Sequence, residues 1–210
     1  MRQSEENHAH ISKIINQTFE LVKLTYQRHN AASISGQPLT CSDTGSRLIF
    51  PKNRKGNTRV SEQELRFAFV EVFNQYVRKN GLNWFYSVEE PTRCDYGFSG
   101  NGHGKRNALF DLSIVDSHFN RIALVEFKAN NPKKECYEKD FEKLANLKES
   151  DTDTLKYFLQ IVENHDKNTP ESITRKTDID NTSLMEKRDS VYHRVYSISK
   201  GEEIINKTIN

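Results

Sequence analysis

Asp111, Glu126 and Lys128 are the residues whose types and spacing could do chemistry together. They fall within residues 107–130, NALFDLSIVDSHFNRIALVEFKAN, where two apolar runs are joined by a short polar turn. Both runs have the composition of buried strands. The six residues Asp116 to Arg121 are short enough to close an antiparallel pair rather than a crossover. With the turn centred between His118 and Phe119, Asp111 falls opposite Glu126. Alternation along a strand sends Glu126 and Lys128 to one face and Val125 and Phe127 to the other. Charged groups leaving a core strand without partners are costly to bury. A divalent cation would remove that cost, because magnesium takes oxygen ligands, commonly one or two carboxylates together with water and substrate phosphate. Lys128 beside it would orient the attacking water or stabilise charge building on a phosphoryl oxygen. The same residues also suit a strand-end ion pair without chemistry, with Asp111 bonded to backbone.

The pattern of Asp111, fourteen further residues and then Glu126-Phe127-Lys128 resembles the D…(D/E)xK signature of the PD-(D/E)XK nuclease superfamily. Phe110 stands where the family's name has proline. The resemblance covers residues 61–163 and implies an α/β, restriction-endonuclease-like core, a central mixed β-sheet flanked by helices in αβββαβ order. It implies Asp111 and Glu126 as metal ligands, and both of them with Lys128 as catalytic residues. In the family, a helix ahead of the strands often adds an acid to the site, and Glu64 is the best match, with Glu62 and Glu71 as lesser candidates. Glu64 also completes Ser61-x-x-Glu64, a capping box that would turn it back on its own helix. The implied cofactor is Mg2+, with Mn2+ able to substitute. The implied activity is hydrolysis of phosphodiester bonds in double-stranded DNA by a restriction-type or repair-type endonuclease, with a homodimer serving to cut both strands.

The elements that must position these groups follow from periodicity. Ile11, Ile14, Ile15, Phe19, Val22 and Tyr26 predict an amphipathic helix over 9–28, scattered with His8, His10 and His29, which read as surface or capping histidines. Residues 30–60 read as a long irregular connection carrying PKNRKGNTR. Between Asp43 and Glu62 there is no acid, and Lys52, Arg54, Lys55 and Arg59 there could grip phosphates or simply be solvated. Leu65, Phe69, Val72, Phe73 and Tyr76 predict a helix from Ser61 to Lys79, ending before Gly81. Asn83 to Val88 has the aromatic content of a strand, closed by Pro91. In GFSGNGHGKR, residues 97–106, four glycines suit a loop, and His103, Lys105 and Arg106 bring positive charge towards the Asp111 strand. The spacing excludes a P-loop. A helix over Glu135–Lys148, with charge supplied by Lys133, Lys134, Lys139, Lys143 and Lys148, and a strand over Leu155–Val162 complete the core. Polar residues 164–188, a strand over Val191–Ile198 and a helical or frayed tail over 201–210 follow. The reading is one domain: a helical and basic-loop N-terminal extension over 1–60, the core over 61–163, and a C-terminal part over 164–210 packed on it.

A net charge of +2 does not announce a nucleic-acid binder, so the distribution of charge must carry that reading. Three widely spaced cysteines without a CxxC pattern argue for free thiols in a reducing compartment and against structural zinc. No apolar run approaches a membrane span and the first ten residues lack a signal-like core, so the expectation is a cytoplasmic protein without a membrane partner. Two other classes compete with the nuclease. One is a catalytically inactive nucleic-acid-binding or assembly module that keeps the fold, and the other is a structural protein with ion pairs only.

Overall fold

Ile122 to Val125 is apolar without a break, and Tyr157 to Val162 is interrupted only by Gln160. Such runs suit strands covered on both faces. A computed structural model describes residues 3–36, 38, 45–97, 106–151, 153–177 and 189–209. Among these, the elements are α1 (Gln3–Ser35), α2 (Glu62–Asn80), β1 (Trp84–Tyr96), β2 (Arg106–Asp116), β3 (Arg121–Ala129), α3 (Lys134–Ala145), a 3-10 turn at Leu147–Glu149, β4 (Leu155–Val162), α4 (Thr169–Thr177), β5 (Val191–Ser197) and β6 (Glu202–Ile209). The strands form one six-stranded mixed sheet in sequence order. β1, β2 and β3 make an antiparallel meander, β3, β4 and β5 run parallel, and β6 returns antiparallel. Each parallel join needs a crossover, and α3 and α4 lie in those crossovers.

The sheet separates two apolar layers. On one side, Ile11, Phe19, Leu65 and Phe69 of α1 and α2 meet Val125 and Phe127 of β3. On the other, Tyr137, Phe141 and Leu144 of α3 and Ile173 of α4 meet Leu124 of β3 and Phe158 of β4. The architecture is therefore α/β, a mixed sheet flanked by helices. No helix among the described residues is long and apolar enough to cross a membrane.

Four elements differ from the sequence reading. The first helix runs on to Ser35, and its apolar stripe lies in the same layer as α2 and β3, so it is a wall of the core rather than an extension. Strand β1 continues through Pro91 to Tyr96, because it is an edge strand and the missing proline N–H breaks no internal ladder. α3 stops at Ala145, where Asn146 turns to accept the Lys148 N–H at 3.0 Å and starts the 3-10 turn. Residues 202–209 form a strand, not a helical or frayed tail. Gly201, at φ 69°, closes the hairpin, and Ile205 is buried against the α3 layer.

Candidate active site

The β2–β3 register pairs Leu112 with Val125 and Ser113 with Leu124, which is the pairing expected from a turn centred at His118 and Phe119. On β3, Ala123, Val125 and Phe127 face α1 and α2, whereas Leu124 faces α3. Glu126 and Lys128 follow on the α3 side, where both meet α3 side chains. Asp111 enters through an irregularity in β2. Phe110 packs in the α3 layer but Leu112, two residues on, packs under α1 and α2, so alternation fails at Asp111. On the neighbouring strand, Glu89 between the pairs Val88–Leu112 and Glu90–Phe110 takes a positive φ of 52°. Asp111 Oδ2 accepts the Phe127 backbone N–H at 2.8 Å, which fixes the carboxylate beside Glu126.

Around these residues lies a continuous charge network. Lys143 of α3 donates to Glu126 Oε1 at 2.6 Å and to the Leu109 carbonyl at 2.7 Å, and lies 3.2 Å from Asp140 Oδ1. The other oxygen of Asp140 is 2.7 Å from Lys128 Nζ, which is also 3.3 Å from Glu62 Oε1 at the start of α2. Three carboxylates, Glu62, Glu126 and Asp140, thus gather around two ammonium groups, and Asp111 acts on Glu62 and Glu126 through its charge. Glu126 is only 2% exposed. Burial, Asp140 and Asp111 push its carboxyl well above the usual range, with Lys143 pulling the other way. Burial also raises Glu62, aided by Asp111 and opposed chiefly by Lys128. Burial works against the charge on Lys128, yet Asp140, Glu62 and Glu126 outweigh it and hold the ammonium protonated well into the alkaline range. The cluster carries more acid than its two lysines neutralise.

Glu64 does not take part. Its carboxylate accepts the Ser61 backbone N–H at 2.9 Å and the Ser61 hydroxyl, forming the capping box of α2. The helix acid that reaches Lys128 is Glu62, two residues earlier, while Glu71 accepts from the Ser46 hydroxyl at 2.7 Å. Asp140 and Lys143 were not singled out by the sequence reading. Their i,i+3 spacing on a helix that follows the Glu126 strand is the signal that places them on one face.

The basic residues form an exposed tongue. Lys52 bridges Thr58, and Asn53 Oδ1 accepts the N–H groups of Lys55 at 2.8 Å and Asn57 at 3.1 Å, so Arg54 and Lys55 sit at a turn. Lys52, Arg54, Lys55 and Arg59 are all exposed, and none makes an ion pair among the described residues. The tongue leads directly into Glu62, and its base is tied to the end of β3 by Asn130 Nδ2 on the Val60 carbonyl at 3.2 Å. Asn130 itself holds a φ of 61°, a conformation asparagine tolerates better than most residues. His103 and Lys105 lie outside the described residues, and Arg106 opens β2 opposite Tyr96.

The donor set around Asp111 and Glu126 is all oxygen, as a hard divalent cation requires. Gln160, paired in register with Lys128, adds a buried Oε1 without a hydrogen-bond partner among the described residues. As arranged, no group of three or more acid, histidine or cysteine side chains among the described residues is positioned to hold a metal, and Glu126 is engaged by Lys143. The chemistry of the donors fits a metal, and the lysine closes the arrangement. Compared with family models, curated proteins and solved structures, the chain matches none, so a functional reading rests on this cluster and its surroundings.

Proposed function

We propose that the chain is a metal-dependent nuclease that hydrolyses phosphodiester bonds in DNA, built on a PD-(D/E)XK, restriction-endonuclease-like core. One observation carries the reading: carboxylates from α2, β3 and α3 converge on Lys128 and Lys143 at the base of an exposed basic tongue, with Asp111 of β2 fixed beside them by the Phe127 N–H. The α2–β1–β2–β3–α3–β4 order supports it, being the αβββαβ order that the resemblance implies. Asp111 and Glu126 are the residues that would hold Mg2+ or Mn2+, which when bound supplies Lewis-acid activation of water and phosphate. Lys128, held charged by its acidic neighbours, stabilises negative charge on the phosphoryl oxygen in the transition state. Lys52, Arg54, Lys55 and Arg59 hold the nucleic-acid backbone by replacing its counterions. Cutting both strands of a duplex asks for two such clusters, hence a homodimer.

The test is nicking and linearisation of supercoiled plasmid with Mg2+ or Mn2+. Lys128→Ala and Asp111→Ala are expected to lower the rate by about a hundredfold or more while leaving the circular dichroism spectrum unchanged. Activity equal to wild type in either folded variant contradicts the assignment. A second reading, a nucleic-acid-binding module without turnover, is favoured by Lys143, whose ammonium already occupies Glu126 Oε1. Intact plasmid across several metals, with DNA still bound at low salt, decides for it.

A further inference from the structure

Lys143 is among the least expected residues in α3. A lysine normally keeps its ammonium in water, yet this one is 2% exposed, between the end of α3 and the sheet. An ammonium has three N–H donors. Here they face Glu126 Oε1 at 2.6 Å, the Leu109 carbonyl at 2.7 Å and Asp140 Oδ1 at 3.2 Å, with the Phe110 ring centroid 5.5 Å away. Two carboxylates and a backbone carbonyl are also the donors that a hard divalent cation uses. Burial of Glu126 leaves it one charged partner among the described residues, whereas Asp140 is shared with Lys128.

We propose that Lys143 is the internal cation of the candidate active site, its ammonium occupying Glu126 Oε1, where a divalent ion held by Asp111 and Glu126 would bind, so that metal binding requires Lys143 to withdraw. The inference rests on the metal-dependent reading above. A divalent ion and the Lys143 ammonium cannot both sit on Glu126 Oε1 without strong repulsion, because the screening that water gives is lost there. Withdrawal is open to a lysine, whose four-carbon stem is flexible. In the metal-free protein, Lys143 keeps the acids paired, so the carboxylates can wait in the core without unfolding it.

Mn2+ titration by calorimetry at constant pH tests this with wild type, Lys143→Met and Lys143→Gln. Both variants are expected to bind Mn2+ at least about tenfold more tightly than wild type, since a competing charge is gone. Folded variants that bind no more tightly than a Mn2+-binding wild type overturn the role of Lys143 and leave the metal reading standing. If wild type and the folded variants all fail to bind Mn2+, the metal reading falls and the proposal with it. Should neither variant fold, the side-chain ammonium resonance of Lys143 in wild type decides. Its loss of protection on adding Mg2+ is expected, and an unchanged signal at saturating Mg2+ overturns the proposal.

Discussion

Glu126 is the residue on which the site's electrostatics turn. Its folded-state affinity for a proton lies above that of the unfolded chain, where the ordinary value is 4.5, because burial disfavours the carboxylate more than Lys143 favours it. A group shifted in this direction contributes stability at pH below the unfolded value, and that contribution is lost as pH rises through the folded one. Glutamine cannot ionise, so Glu126→Gln is expected to gain stability relative to wild type in urea unfolding as pH rises above the ordinary value of 4.5. A relative loss as pH rises would mean that the Lys143 ammonium outweighs the burial of Glu126. The common face of Glu126 and Lys128 was legible in the sequence because strand alternation is a rigid period of two. Lys143 was not, since a lysine on an amphipathic helix reads as a surface charge, and only the acids packed against it make burial tolerable.

At the level of elements, α2 carries two glutamates in its first turn with separate jobs. Glu64 closes the capping box on Ser61, and Glu62 meets Lys128. Glu64→Ala is expected to cost about 1 kcal/mol of stability, as the loss of a helix cap does, with plasmid cleavage by the folded protein unchanged. Glu62→Ala is expected to do the reverse, leaving unfolding near that of wild type and altering cleavage. Denaturant unfolding and plasmid nicking on the two variants check this, and a stability loss confined to Glu62→Ala would reverse the assignment. Serine followed three residues later by glutamate shows the cap in the sequence, but which acid reaches the sheet depends on where β3 ends, a tertiary fact. Strand β6 was more legible than the reading allowed: Gly201 can take the positive φ of a hairpin, and Ile204, Ile205, Thr208 and Ile209 are β-branched. Pro91 misled in the opposite direction, because the sequence does not show that β1 lies at an edge.

Over the whole molecule, the apolar runs and their lengths made the α/β class and the order of the central elements readable. They did not reveal that α1 completes one wall of the core, because an amphipathic helix does not say which face of which sheet it covers. The tongue was legible as charge alone; its position beside the cluster comes from Asn130, which ties Val60 to the end of β3. Fold, cluster and tongue converge on one claim, that Asp111 and Glu126 hold a divalent ion at the end of β3. Anomalous diffraction from crystals soaked in manganese tests it most directly. The expected result is a manganese peak in contact with both carboxylates, with the Lys143 ammonium moved off Glu126. Full manganese soaking that leaves Lys143 on Glu126 and no peak at either acid would contradict it.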